Sequence, residues 1–153
     1  MCQSPFAPAV NSPCKACRLQ VVSLRNAHDC GGSRVKIILV VDDELASAEV
    51  LSLILEEEGY RTFCAADGQQ GLARAREVMP QLVVLDFMMP MMNGADLARA
   101  LRGAPELRHI KILMNSSLPE ELVRRHFSNY DAYLRKPYNV DVALQLIASL
   151  VAE

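Results

Sequence analysis

The chain has 153 residues, of which 51% are hydrophobic and only 5% aromatic, with a formal net charge of −2. That length suits a single domain with a sizeable core, and the near-neutral balance gives no reason to expect a nucleic-acid footprint. No run approaches the ~18 apolar residues of a membrane span, and the N-terminus lacks the ~7–15-residue hydrophobic stretch of a signal peptide, so a cytoplasmic protein with reduced thiols and no membrane partner is expected.

Residues 1–34 read as a tail, disordered or outside the native domain. They have weak periodicity, three prolines, a Gly31-Gly32 break and four of the five cysteines. Lys15, Arg18, Arg25 and Arg34 against Asp29 give them a net charge of +3, leaving −5 for the rest. Cys14-x2-Cys17 with His28 and Cys30 offers a possible zinc cluster. The single residue between His28 and Cys30 is tight for two ligands, and there is almost no core to support them. The abrupt change at Val35 also suggests that translation could start there, which the intact mass of the endogenous protein tests.

From Val35 the pattern is regular. "VKIILVV" is a buried parallel strand closed by Asp42-Asp43-Glu44. "DELASAEVLSLILEEEGY" is a helix with Ala48, Leu51, Ile54 and Leu55 as its apolar stripe, ended by Gly59. "YRTFCAA" is a strand, "DGQQGLARAREV" a helix stopping before Pro80, "QLVVLD" a strand and "NGADLARALRG" a helix. "HIKILMN" is a strand, "LPEELVRRHFSN" a short helix with Pro119 in its first turn, and "AYLR" a strand. "NVDVALQLIASLVAE" is the last helix, with Val140, Leu144, Ile147 and Val151 as its predicted core stripe and Val142 and Leu146 pointing away. Five strands alternating with five helices predict an α/β domain over 35–153, a five-stranded parallel sheet with helices on both faces.

In such a sheet ligands bind beyond the carboxyl ends of the strands. The first strand ends at Asp42-Asp43, the third at Asp86, the fourth at Asn115-Ser116-Ser117 and the fifth at Lys136-Pro137. Four strand ends out of five thus carry polar groups to one edge, which explains why the apolar run "LVVL" leads into a single carboxylate. Two carboxylates roughly 5 Å apart repel by about 3 kcal/mol at an effective dielectric near 20. Three acids on one edge call for counter-charge, from Lys136 and from a hard divalent cation such as Mg²⁺, which prefers oxygen ligands. A metal, a lysine, a hydroxyl and a carboxylate nucleophile form a set suited to phosphoryl transfer.

Each group alone has a plainer explanation. Asp42, Asp43 and Ser116 could be helix caps, Lys136 a solvated charge, Asn93-Gly94 a turn, and the methionines around Pro90 gap-filling core. The constellation in chain order resists that reading.

In these segments the sequence resembles the receiver domain of bacterial two-component response regulators, over about Val35 to Glu153. "ILVVDDE" is similar to the first strand with its acidic pair, "LVVLDFMMPMMNG" to the phosphoacceptor strand and loop, "KILMNSS" to the fourth strand with its switch hydroxyl, and "AYLRKPY" to the fifth strand with lysine and proline. The resemblance implies a flavodoxin-like (βα)5 fold with strand order 2-1-3-4-5. It implies that Asp86 accepts a phosphoryl group from a histidine kinase or histidine phosphotransfer protein. Asp42, Asp43, Asp86 and the Met88 backbone carbonyl would hold Mg²⁺. Ser116 and Lys136 would contact the phosphoryl group, the Lys136-Pro137 bond would be cis, and Tyr133 would be the aromatic switch that moves inward when Ser116 shifts. Phosphorylation adds about −1.5 to −2 charge, and the surface of the fourth helix, fifth strand and fifth helix would carry the change to an unknown downstream protein, with a homodimer possible.

Three departures qualify this. The Ser116–Lys136 interval is short, and the fourth helix lacks a terminating glycine, a role Asn129 could take. Met88 and Leu118 are apolar where polar residues often flank the phosphoryl group, and are expected to lengthen its lifetime. No output module follows, so a stand-alone receiver is expected, with no separate substrate turnover and no nucleic-acid partner. The alternatives are a phosphorylation-independent module of the same fold and an acid-nucleophile hydrolase. The latter usually carries Asp-x-Asp, where this chain has Met88.

Overall fold

The computed structural model describes residues 34–152; apart from Arg34 the predicted tail, with Cys14, Cys17, His28 and Cys30, lies outside the described residues. The elements alternate as β1 (Ile37–Val41), α1 (Leu45–Glu57), β2 (Arg61–Ala65), α2 (Gly68–Val78), β3 (Leu82–Asp86), α3 (Gly94–Gly103), β4 (Lys111–Ser116), α4 (Glu120–His126), β5 (Ala132–Arg135) and α5 (Val140–Ala152). Every strand pair is parallel, and the sheet order is β2-β1-β3-β4-β5. This is the doubly wound architecture the alternation predicted, in the strand order the resemblance implied.

Successive strand residues point to opposite faces, so the unbroken apolar runs supply two cores. Leu39, Val41, Val83, Leu85, Ile112 and Met114 pack with α2, α3 and Val123 of α4. Ile38, Val40, Val84, Leu113 and Leu134 pack with α1 and α5. Asp42, Asp86, Asn115 and Lys136 continue the second phase at the C-terminal edge, where Val40 and Val84 still line the same cavity. Alternation alone therefore carries these four side chains to one side of one edge.

The helix ends are where the sequence reading needs correction. Gly59, at φ 90°, ends α1 as expected. Met79 takes the left-handed conformation, φ 47°, after α2, although it is not glycine. Pro80 bars the right-handed helical region for the residue before it, and the helix turns out at that cost. Asn129 does not cap α4, because the positive-φ non-glycine residues among those described are Met79 and Met91. Instead α4 ends at His126 and Phe127 is extended, at φ −160°. Carbonyls at and beyond this end are taken up by arginines of α3: Arg99 Nη2 donates to His126 O, and Arg102 Nε to Asn129 O at 3.2 Å.

The stripe of α5 is also rotated from the predicted one. Ala143, Ile147, Leu150 and Val151 are buried, Leu144 and Leu146 pack at the margin, and Val140 is exposed. Val140 therefore falls outside the buried face, and Leu146 is not the outward residue expected. Val142 is, at 54% exposure. Ile147→Ala should then cost about 2–5 kcal/mol in chemical denaturation and Val142→Ala no more than about 0.5 kcal/mol.

Candidate functional site

The oxygens of Asp42, Asp43 and Asp86 lie within 4.8 Å of one another. Asp42 and Asp86 are buried, at 5% and 6% exposure, while Asp43 is exposed. Asp42 is not a helix cap, since Glu44 holds the N-cap position of α1. Its Oδ1 accepts from the Glu44 N–H at 2.9 Å, and its Oδ2 accepts from Lys136 Nζ at 2.9 Å. Lys136 stands 3.7 Å from Asp86 Oδ1, so its primary partner in this state is Asp42. Met88 N–H reaches Asp86 Oδ1 at 3.4 Å.

These contacts do not fully offset the loss of water. Burial pushes the Asp86 carboxyl up to about 6; Lys136 and the Met88 N–H pull it down, while the charges of Asp42 and Asp43 push it up. Burial lowers the Lys136 ammonium, but the hydrogen bond to Asp42 and the charges of Asp86 and Asp42 outweigh it and hold its pKa above the ordinary lysine value. The donors are all oxygen and their charge is in excess, so the cluster fits a hard divalent cation.

On the next strand Ser116 is fully buried, and its Oγ accepts from the Leu118 N–H at 3.1 Å. Tyr133 hydroxyl donates to Ser116 O at 3.2 Å and to Leu118 O. The ring is already turned inward onto the loop that Ser116 begins. The Lys136-Pro137 bond is cis, as expected. Met88 and Leu118 line one cavity of about 580 Å³ together with Asp43, Phe87, Met89, Pro90, Asn93 and His126.

A model of the response regulator receiver domain matches residues 38–148. The chain belongs to the response regulator receiver family. It is 41% identical over 104 residues to the DNA-binding response regulator MtrA of Mycobacterium tuberculosis, covering 66% of this chain and 44% of MtrA. It is 36% identical over 114 residues to the probable transcriptional regulatory protein TcrX of the same species, covering 74% of this chain and 49% of that one. The receiver thus spans about half the length of these relatives. Among solved structures it is similar to the signal receiver domain of a histidine kinase from Syntrophus aciditrophicus, with 32% identity, TM-score 0.71 and coverage of 77% and 91% of the two chains. It is similar too to the response regulator TrrA of Thermotoga maritima, solved in complex with Mg²⁺-BeF, with 30% identity, TM-score 0.69 and coverage of 76% and 99%.

Two residues of this receiver site were not singled out from sequence. Gly94 follows Asn93, which is not merely a turn residue but the N-cap of α3, accepting from Asp96 N–H at 2.9 Å. A Cβ on Gly94 would lie 2.5 Å from Asp86 O and 2.7 Å from Phe87 Cα, so only glycine lets α3 start against the backbone of Asp86. The signal was the glycine three residues after Met91, read only as half of a turn pair. Asn115, paired in register with Asp86, is 4% exposed, and its Oδ1 has no hydrogen-bond partner among the described residues. It lines a cavity of about 410 Å³ with Asp42, Asp86, Lys136 and Tyr138.

The raised Asp86 pKa has a consequence for stability. The ordinary aspartate value is about 3.9, so between about 3.9 and 6 the folded state binds more protons than the unfolded state, and stability falls as pH rises through that window. Asp86→Asn should match wild type below pH 4 and exceed it above pH 6. A shift of this size corresponds to about 3 kcal/mol, which solvent at the open rim should roughly halve. Chemical denaturation with chelator across that range measures the difference.

Proposed function

We propose that this receiver accepts a phosphoryl group on Asp86 from a phosphohistidine of a histidine kinase or phosphotransfer protein. The observation that carries this is the convergence of three carboxylates within 4.8 Å, with Lys136 on their flank. An Asp86 oxygen attacks phosphorus, the phosphorus–nitrogen bond breaks, and the imidazole, already protonated on its other ring nitrogen, leaves neutral with that electron pair. Asp42, Asp43, Asp86 and the Met88 carbonyl would hold Mg²⁺, which supplies charge neutralisation on phosphoryl oxygens. The Mg²⁺-BeF complex of TrrA supports that assignment. Lys136 turns from Asp42 toward the phosphoryl group, and Ser116 Oγ donates to another of its oxygens. Because Tyr133 is bonded to the carbonyls of Ser116 and Leu118, movement of Ser116 passes to Tyr133 and to the surface of α4, β5 and α5.

In this reading the protein modifies only itself and turns over no separate substrate. Its output is binding of a protein partner or of a second copy through that surface, in the cytoplasm, where phosphohistidine donors reside. No helix among the described residues is long and apolar enough to cross a membrane. A second reading, DNA binding through further residues, is favoured by the relatives' names, since more than half of each relative lies outside the match. Phosphorylation-dependent pull-down without retention on DNA supports the first output; a phosphorylation-dependent shift of host promoter DNA by the endogenous protein supports the second.

Incubation with a small phosphodonor and Mg²⁺ should label wild type and leave Asp86→Asn at background, with chelator or Asp43→Ala also suppressing label. Wild-type labelling of Asp86→Asn would overturn the acceptor assignment.

Met88 and Leu118 border one cavity together with Asp43 of the acidic cluster, and neither side chain orients water well. The phosphorylated state should therefore be long-lived. Met88→Asn with Leu118→Glu should shorten its half-life about tenfold, a change of only about 1.4 kcal/mol in the barrier. A half-life in the double variant equal to or longer than wild type removes this role for the two residues.

A further inference from the structure

The loop after Asp86 holds four methionines around Pro90, and their exposures differ widely. Met91 is 96% exposed and Met88 57%, while Met89 is 7% exposed. Elsewhere Met114 is fully buried, and Met79, at 39%, follows the C-terminus of α2, away from the carboxylate edge. Thioether oxidation follows access, so Met91 and Met88 should react before Met89 and Met114. Met91 stands out from the loop at φ 66° and does not line the cavity beside the site. Met88 does, with Asp43 and Leu118, and its own N–H touches the Asp86 carboxylate.

We propose that Met88 is an oxidative modification site that shortens the phosphorylated state; this rests on the phosphoacceptor reading of Asp86. A peroxide supplies the oxygen. The Met88 sulfur lone pair attacks one peroxide oxygen, the O–O bond breaks, an S–O bond forms, and the second oxygen leaves as water after taking up the proton. Sulfur is oxidised and peroxide reduced. The product is a sulfoxide, a strong hydrogen-bond acceptor with a permanent dipole, placed among Phe87, Met89, Pro90 and Leu118 in a wall that Asp43, Asn93 and His126 complete. A water that donates to the sulfoxide oxygen is held beside Asp86 with its lone pair free, the orientation that in-line attack on the phosphoryl group requires. Oxidation thus converts the apolar Met88 side chain into a water-positioning one without changing the sequence, and a sulfoxide reductase reverses it.

The test is limited treatment of the full chain with hydrogen peroxide, peptide mass spectrometry, then phosphorylation and decay measured for each variant against its own untreated form. Met88 and Met91 should gain oxygen first, and the wild-type phosphoryl half-life should fall roughly threefold or more. Sulfoxide reductase should restore it. Met88→Leu should show no response to peroxide, and Met91→Leu should respond as wild type does. Unchanged decay in protein carrying oxidised Met88, or an equal response in Met88→Leu, overturns the inference while leaving the acceptor assignment standing. Absence of label in untreated wild type overturns both.

Discussion

A carboxylate taken out of water beside two others is the interaction on which this structure turns. Asp86 is buried against Asp42 and Asp43, and its raised pKa registers the net cost of that placement. Neighbouring features temper the cost without removing it. Lys136 is drawn in from β5 to sit between Asp42 and Asp86, the Glu44 N–H serves Asp42, and the Met88 N–H serves Asp86. A site left in deficit of positive charge is suited to a cation.

The parallel sheet makes this arrangement possible at modest entropic expense. Each strand delivers its C-terminal residue to the same edge, and register fixes neighbours across it: Asp86 lies opposite Asn115, Ser116 opposite Arg135, and the Lys136 N–H continues the ladder to Ser116 O at 2.8 Å. Asp86 is further held by α3, whose start against Asp86 and Phe87 leaves no room for a side chain at Gly94. The rigid half of the site is thus β1, β3 and α3.

The more loosely held part is β4's end, α4 and Tyr133. The helix α4 has seven residues and a single fully buried side chain, Val123, so little apolar burial anchors it. Its far end is tied by hydrogen bonds from Arg99 and Arg102, and Arg102 also pairs with Asp131, whose carboxylate accepts from Ile112 N–H at 2.8 Å. Hydrogen bonds to carbonyls are more easily exchanged than packed core, so α4 is held less firmly than the helices packed along the sheet. The Arg102–Asp131 pair is partly buried and secures the entry to β5, while exposed pairs such as Arg124–Glu120 contribute little.

The amino-acid sequence by itself determined the element order, the layered α/β class and the edge at which Asp42, Asp43, Asp86, Ser116 and Lys136 meet. Hydrophobic period and strand-end chemistry are local properties, and a parallel sheet turns them into position with no further choice. What only the tertiary structure decided were features that depend on neighbours distant in the chain. The rotation of α5 depends on which of its faces meets the sheet, which left Val140 exposed and Leu146 half-covered. The end of α4 depends on arginines from α3 rather than on Asn129. The need for glycine at 94 comes from the backbone of Asp86 pressing on it, and the inward Tyr133 from carbonyls of a loop fifteen residues earlier. Each of these is set by shape and hydrogen bonding between elements, and periodicity along one segment carries no record of them.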